Sequence, residues 1–165
     1  MMDELERVLI GNSAAAPAAS IVEGVSDELA HREIAGAPRT IYEEVWHIAF
    51  WLQVTLEWND GIETPYPDHA SKGFPSAADV DKESWSELCR RFLQQLELAA
   101  VTVRDPAKLA RVVRCPSAPG APVRTMSVRE QLESLAAHNA YHFGRIVLMR
   151  QLAGAWPPPS GGDTW

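Results

Sequence analysis

The chain has 165 residues, a formal net charge of −7 and a hydrophobic content of 46%. This length predicts one domain with a sizeable core. The negative charge and the lack of a basic run argue against nucleic acid as a partner, because phosphate binding requires clustered Lys and Arg. An acidic N-terminus and the lack of an apolar stretch of about 20 residues predict a cytoplasmic protein that does not bind membranes. Cys89 and Cys115 show no spacing motif and are predicted to be free thiols.

Hydrophobic residues recur at helical spacing along most of the chain, and no segment alternates convincingly at strand spacing, which predicts an all-α fold. A short amphipathic segment over about 3–10 precedes an Ala-rich helix over about 14–29. A second helix should begin after Thr40, because Thr40 and Glu43 have the spacing of a capping box, and should end near Asn59.

The second half of the chain predicts two further long helices. The third helix covers about 79–103, and its apolar face is assigned to the core. A proline-rich loop follows, with one short helical turn near 107–112. Ser127 and Glu130 then have the spacing of another capping box, which predicts the start of a fourth helix that ends near Gly154.

The connection between the second and third helices, residues 62–78, contains three prolines and little periodicity. About 17 extended residues span over 50 Å, whereas a helix of about 20 residues is only about 30 Å long. The connection can therefore cross over and leave these two helices parallel. Residues 1–155 are predicted to form the domain, and the Pro- and Gly-rich residues 156–165 an extended tail.

Three histidines are the strongest functional signal in the sequence. His138 and His142 are four residues apart, so their side chains share one face of the fourth helix. His47 lies on a mostly apolar face of the second helix, where a buried polar ring needs a partner. A divalent cation would satisfy three neutral imidazoles at once, and three protein ligands leave coordination positions open, as in catalytic zinc sites. The alternative is that each histidine simply bonds to its neighbours.

Two other metal chemistries lack the residues that they require. A zinc protease has Glu directly after the first histidine of the pair, and this chain has Asn139 there. A di-iron bundle needs two Glu-x-x-His pairs, and only Glu44 with His47 fits. Neither chemistry is therefore expected. Imidazole ligands by themselves suit Zn, Ni, Cu and Fe alike.

Two charged residues near the histidines are candidate catalytic residues. Glu44 either orients a ligand imidazole, acts as a general base, or complements the dipole of its helix. Arg145 either holds an anionic group of a substrate or forms a salt bridge with Glu43 or Glu44. His31 and His69 lie in turn-rich surroundings and are excluded from the site. Four aromatic residues either line a pocket or belong to the core: Trp51, Trp58, Trp85 and Tyr141.

Two segments resemble a known family. Residues 138–152, with the sequence HNAYHFGRIVLMRQL, and the Gly-Ala-Trp-Pro at 154–157 resemble the last helix of the DinB-like (damage-inducible) superfamily, which includes the YfiT-type proteins. Residues 44–51 resemble its second helix with the first metal-binding histidine. The resemblance implies a four-helix bundle with up-down-down-up topology. It also implies a divalent ion (Zn, Ni or Fe) bound by three residues: His47, His138 and His142.

The resemblance also implies a range of functions. Relatives include thiol-dependent enzymes such as bacillithiol transferases and mycothiol-dependent maleylpyruvate isomerase, and they are often homodimers. This implies a metal-dependent thiol transferase, or a hydrolase, that acts on a small-molecule substrate with a low-molecular-weight thiol or water as nucleophile. The chain departs from one subgroup in having Trp46 where Glu often precedes the first histidine. A non-catalytic metal-binding or interaction module, and a bundle without metal, are the alternatives.

Overall fold

The computed structural model describes residues 2–11 and 15–161. The described residues are mostly helical and include one small two-stranded sheet. In chain order, the elements are α1 Glu4–Leu9, α2 Ala18–Val22, α3 Asp27–His31, α4 Ile41–Asn59, a 3-10 helix Ala70–Gly73, α5 Ala77–Lys82, α6 Trp85–Val103, α7 Pro106–Leu109, β1 Val112–Cys115, β2 Arg124–Ser127 and α8 Val128–Leu152. The prediction of a helical protein is confirmed, and the sheet is an addition to it.

The two histidine-bearing helices begin where the sequence predicted. Thr40 Oγ1 accepts a hydrogen bond from the Glu43 amide at 3.2 Å, and the Glu43 carboxylate accepts one from the Thr40 amide at 2.8 Å. Ser127 and Glu130 form the same reciprocal pair at the start of α8. These capping boxes satisfy amides that have no partner within the first turn of a helix.

The N-terminal region differs from the single Ala-rich helix that was predicted over about 14–29. The structure has two short helices, α2 and α3, separated at Gly24, while residue 14 lies outside the described residues. Gly24 has a φ of +69°, and a Cβ atom there would lie 2.6 Å from the Pro159 ring. A side chain at this position would therefore be strained and would also clash, so the chain turns at this glycine.

The predicted third helix is also divided in two. The structure ends α5 at Lys82 and begins α6 at Trp85, because Ser84 caps the new helix. The Ser84 amide donates to Glu87 Oε2 at 2.9 Å, and the Glu87 amide donates to Ser84 Oγ at 3.4 Å. This capping box was present in the sequence, and it marks a boundary between the mostly polar α5 and the amphipathic α6.

The prediction that no strands occur is wrong between α7 and α8. There β1 and β2 pair as an antiparallel hairpin in which Val113 lies opposite Met126 and Cys115 opposite Arg124. Val113 and Cys115 are buried, whereas Val112 is exposed. This alternation is typical of a strand, but it is too short to stand out in the sequence. The predicted short helical turn is α7, which begins at Pro106, one residue earlier than expected.

The core lies between the long helices. α4 packs against both α6 and α8, and α1 contacts the same two helices. Phe92 of α6 and Phe143 of α8 meet edge to face in the interior, with ring centroids 6.1 Å apart. The described part of the tail is non-helical, as predicted, but it turns back so that Ser160 donates to the Glu23 carboxylate. Among the described residues, no helix combines the length and apolar character that crossing a bilayer requires.

Candidate metal centre

The three predicted histidines meet in the fold. His47 projects from α4, and His138 and His142 project from adjacent turns of α8, so that one nitrogen atom from each ring lies within 4.8 Å of the others. His47 and His142 are only 8% and 5% exposed, and His138 is half-buried. Packing of α4 against α8 therefore brings the His47 ring to two imidazoles that lie 91 or more residues further along the chain.

Two of the rings are held by strong hydrogen-bond acceptors. His47 Nδ1 lies 2.7 Å from the Gly73 carbonyl oxygen, and His142 Nδ1 lies 2.6 Å from Glu44 Oε2. A carbonyl and a carboxylate can only accept, so each Nδ1 carries the proton and donates it. Each Nε2 therefore has a free lone pair. Metal-bound histidines usually have this arrangement, in which the nitrogen that does not bind metal donates to an acceptor.

The third ring, His138, also has a hydrogen-bond partner at Nδ1, and its Nε2 faces another ring nitrogen. His138 Nδ1 lies 3.2 Å from the Asn139 side-chain oxygen, and its Nε2 lies 3.0 Å from Nε2 of His47. With each Nδ1 protonated, these two Nε2 atoms face each other as acceptors, which is repulsive without a cation between them. Two nitrogens that bind one zinc ion at about 2.0–2.1 Å are at most about 4.2 Å apart, so the 3.0 Å between these two Nε2 atoms fits one ion, and the nitrogen of the third ring, within 4.8 Å of both, needs only a small shift to join them. The donor set therefore fits one divalent ion.

Burial keeps two of the ligand rings, His47 and His138, neutral. Burial lowers the pKa of His47 to about 4, and the hydrogen bond to the Gly73 carbonyl only partly opposes this effect. Burial also lowers the pKa of His138. Desolvation disfavours the charged imidazolium, and metal binding requires the neutral imidazole. Both rings are therefore in the protonation state of a ligand at neutral pH.

Glu44 and Arg145 lie behind the imidazoles. Glu44 is fully buried, and its two oxygens have different partners: Oε2 bonds to His142, and Oε1 lies 2.7 Å from Arg145 Nη2. The second contact is an ion pair without hydrogen-bond geometry, since Oε1 accepts no aligned hydrogen bond. The salt bridge considered for Arg145 is therefore formed with Glu44. Glu43 instead pairs with Arg39 at 3.1 Å.

The sequence interpretation missed a contribution from the connection between α4 and α5. Gly73 supplies the carbonyl that holds His47, and the Phe74 ring stacks on the His47 ring with centroids 4.1 Å apart and an angle of 11°. The Arg39 guanidinium lies 4.3 Å from the centroid of the same phenyl ring. Residues 62–78 were interpreted only as a crossover. Phe74, an aromatic residue within this mostly polar segment, was the feature of the sequence that could have indicated a contact with the site.

A cleft of about 240 Å³ lies beside His138. Of the four aromatic residues considered, Trp51 and Trp58 line it. Trp85 instead is buried and donates from Nε1 to the Val25 carbonyl at 2.7 Å, and Tyr141 is 62% exposed. His31 and His69 are both exposed on the surface and away from the three imidazoles, as predicted.

Comparison with protein families supports what the geometry indicates. The family model described as the DinB superfamily matches residues 14–146, a range that contains the three converging histidines. The chain belongs to the DinB superfamily. This DinB-superfamily protein has a site that can bind a divalent metal. Trp46 stacks on Phe50 with centroids 5.5 Å apart, and Glu44 supplies the carboxylate at the imidazoles. No curated protein matches the sequence.

Proposed function

We propose that this DinB-superfamily protein is a metal-dependent enzyme that transfers a low-molecular-weight thiol to an electrophilic small molecule. His47, His138 and His142 would hold one divalent ion: Zn, Ni or Fe. The observation that carries this proposal is that one ring nitrogen from each of the three histidines lies within 4.8 Å of the others, with Nε2 of His47 and of His138 3.0 Å apart, while every Nδ1 already has a hydrogen-bond partner. Family membership supports it, because thiol-dependent enzymes occur among the relatives that the sequence resembles.

When bound, a divalent ion supplies Lewis acidity that lowers the pKa of a thiol or water and so provides a nucleophile at neutral pH. The chain's own residues orient the site. Glu44 holds the N–H of His142, and we assign it as a positioning residue because both of its oxygens are engaged and it is fully buried. The Arg145 guanidinium forms an ion pair with this buried carboxylate, with Nη2 2.7 Å from Oε1. Three protein ligands leave coordination positions open, and His138 borders the cleft from which a small molecule can approach.

The metal assignment is tested by elemental analysis of protein purified without a His tag. We expect the wild-type chain to bind zinc or nickel stoichiometrically and His142→Ala to lose most of that metal. His31→Ala is the matched control, because His31 is an exposed histidine outside the centre. Equal metal binding by wild type and His142→Ala would show that the ligand assignment is wrong.

The catalytic assignment needs a separate measurement. We expect the zinc- or nickel-loaded wild type to conjugate a small thiol to 1-chloro-2,4-dinitrobenzene, and His142→Ala to lose this activity. Hydrolysis of an activated ester by the loaded protein, without thiol conjugation, would favour the hydrolase alternative. Stoichiometric metal with neither activity would favour the non-catalytic metal-binding or interaction module.

We also propose that residues 1–155 form a four-helix bundle with up-down-down-up topology. The contacts that support it are those of α4 with α6 and α8, and of α1 with the same two helices. The connection from Asp60 to Ser76, which contains only one 3-10 helix, is long enough for the crossover that this topology requires. Distances between pairs of spin labels placed at the ends of α4 and α6 would test whether the two helices are parallel.

We further propose a cytoplasmic homodimer. α8 exposes an apolar stripe formed by Tyr141, Leu148 and Leu152, which are 62%, 54% and 60% exposed, with the exposed Gly144 among them. Contiguous exposed apolar surface is typical of interfaces. Free cysteines, Cys115 buried among them, fit a reducing compartment. Light scattering should give the mass of a dimer for wild type and a smaller mass for Leu148→Glu.

A further inference from the structure

The cleft beside His138 has an aromatic wall. Trp51 and Trp58 lie two turns apart on one side of α4, with ring centroids 6.5 Å apart at 56°. Tyr66 of the following connection lies against Trp51, with centroids 5.1 Å apart at 45°. Trp51 also meets the His138 ring edge to face at 6.3 Å. A planar apolar group that packs on this wall would therefore lie next to the imidazoles.

The charge of the cleft is positive although the chain is acidic. Arg124, the first residue of β2, is the one charged side chain among the described residues that line the cleft, and no Asp or Glu lines it. No carboxylate of the described residues forms an ion pair with Arg124, whereas Arg114 on the neighbouring strand pairs with Glu63 at 2.8 Å. In a chain with a net charge of −7, Arg124 is left available for an external anion.

We propose that this cleft binds a small aromatic carboxylate, whose ring packs against Trp51 and Tyr66 and whose carboxylate pairs with Arg124. The planar guanidinium binds a carboxylate through two parallel hydrogen bonds. A volume of about 240 Å³ is below the range of about 300–1,000 Å³ typical of drug-sized ligands, so the ligand is small. The inference rests on the proposed function in one respect: as substrate, the bound acid would carry a leaving group such as a halide on its ring, which departs as an anion when the thiol sulfur bonds to that ring carbon.

An organic cation is the competing ligand for an aromatic wall, because aromatic faces attract cations. The positive charge of Arg124 repels an organic cation, and no carboxylate lines the cleft to balance the charge of such a ligand. The charge of the cleft therefore favours an anion over a cation.

The test uses two ligands of the same shape, 2-naphthoate and its neutral amide, 2-naphthamide. Calorimetric titration of the 165-residue chain, with chelator and again with added zinc, gives both affinities without any need for turnover. We expect naphthoate to bind wild type about fivefold more tightly than naphthamide, the most that an exposed ion pair usually contributes. Equal affinities, or tighter binding of tetramethylammonium than of naphthoate, would overturn the proposal.

Three variants separate the contributions of charge and ring. Arg124→Gln should lower the affinity for naphthoate about fivefold and leave the affinity for naphthamide unchanged, because only the ion pair is removed. Tyr66→Ala should weaken both ligands to a similar extent. Arg90→Gln is the matched control, because Arg90 is an exposed arginine of α6 outside the cleft, and it should change neither affinity. An unchanged naphthoate affinity in Arg124→Gln would contradict the assignment.

Two experimental results separate a failure of the cleft assignment from a failure of the proposed function. A protein that binds no metal but still prefers naphthoate through Arg124 would retain the cleft assignment and lose the metal enzyme. A protein that binds metal and conjugates thiols, but does not distinguish naphthoate from naphthamide, would retain the metal enzyme and lose the cleft assignment.

Discussion

Helix α8 carries two buried polar centres about two turns apart, one at His142 and one at Arg150, and they are satisfied in opposite ways. The Arg150 guanidinium is 1% exposed, and it donates hydrogen bonds to backbone carbonyls at distances of 2.8–3.1 Å. These carbonyls belong to Ser20, Ile21, Glu23 and Ala155. At the histidine centre every Nδ1 has a partner, but Nε2 of His47 and Nε2 of His138 point at each other.

This difference separates a structural centre from a functional one. Three of the carbonyls that Arg150 binds, those of Ser20, Ile21 and Glu23, are at the C-terminal end of α2 or directly after it, where helical carbonyls lack partners and carry partial negative charge. The fourth, that of Ala155, follows α8. Arg150 thereby connects α2 to the residues after α8 by donating hydrogen bonds to both segments. At the histidine centre, by contrast, two acceptor nitrogens face each other, Nε2 of His47 and Nε2 of His138, which is unfavourable unless an ion binds between them. Four predictions test this comparison.

The largest effect is expected for Arg150→Met. The substitution leaves buried carbonyls without charged donors, so we expect the free energy of unfolding to decrease by about 3–5 kcal/mol. Urea denaturation measures it, and the folded fraction should still bind metal. Arg90→Met, at an exposed arginine, should change stability by less than about 0.5 kcal/mol. A loss below about 1 kcal/mol in Arg150→Met would contradict a structural role.

The second prediction concerns pH in the metal-free protein. The pKa of His47 is lowered from 6.5 to about 4, so as the pH falls the unfolded chain takes up a proton before the folded chain does. Stability is therefore retained above pH 6.5 and decreases between pH 6.5 and about 4, by up to about 3 kcal/mol. The lowered pKa of His138 acts in the same direction.

Denaturation at a series of pH values, with wild type and His47→Gln, checks this expectation. The variant should lose part of the slope, up to about 1.4 kcal/mol per pH unit, because one titrating group has been removed. His69→Gln serves as the control, since His69 is exposed and outside the centre. Identical slopes in wild type and His47→Gln would show that His47 is not held neutral.

The third prediction is a loss of metal affinity in Glu44→Gln. An amide oxygen is a weaker acceptor than a carboxylate for the N–H of His142, so zinc affinity should fall about tenfold, or about 1.4 kcal/mol. Competition with a chelating dye measures it. Glu43→Gln is the matched control, because Glu43 lies in the same turn but pairs with Arg39 and caps the helix. If both variants lose affinity equally, Glu44 has no specific positioning role.

The smallest effect is expected for Phe74→Ala, which removes the ring stacked on His47. Aromatic pairs contribute about 0.5–1.5 kcal/mol beyond their buried area, so zinc affinity should fall between about twofold and tenfold. Phe50→Ala removes a stack on Trp46 instead and should leave the affinity unchanged. An unaltered affinity in Phe74→Ala would show that the connection does not support the metal centre.

Local sequence signals predicted the two helices that carry the centre. The capping boxes at Thr40 and Ser127 were readable because each depends on residues three positions apart. The hairpin was missed because four-residue strands give too little alternation to detect. The division between α5 and α6 was missed for a different reason: the mostly polar residues 79–83 favour a helix as much as the residues after Ser84 do, so nothing but the capping box marks the boundary.

The sequence by itself determined where α4 and α8 begin and that His138 and His142 share a helical face, because both depend on contacts within one or two turns. The tertiary structure alone decided that Gly73 and Phe74 return to His47, and that Glu44 reaches His142 across 98 positions. Such contacts depend on how distant segments pack in three dimensions. No periodicity or spacing within the chain encodes that packing.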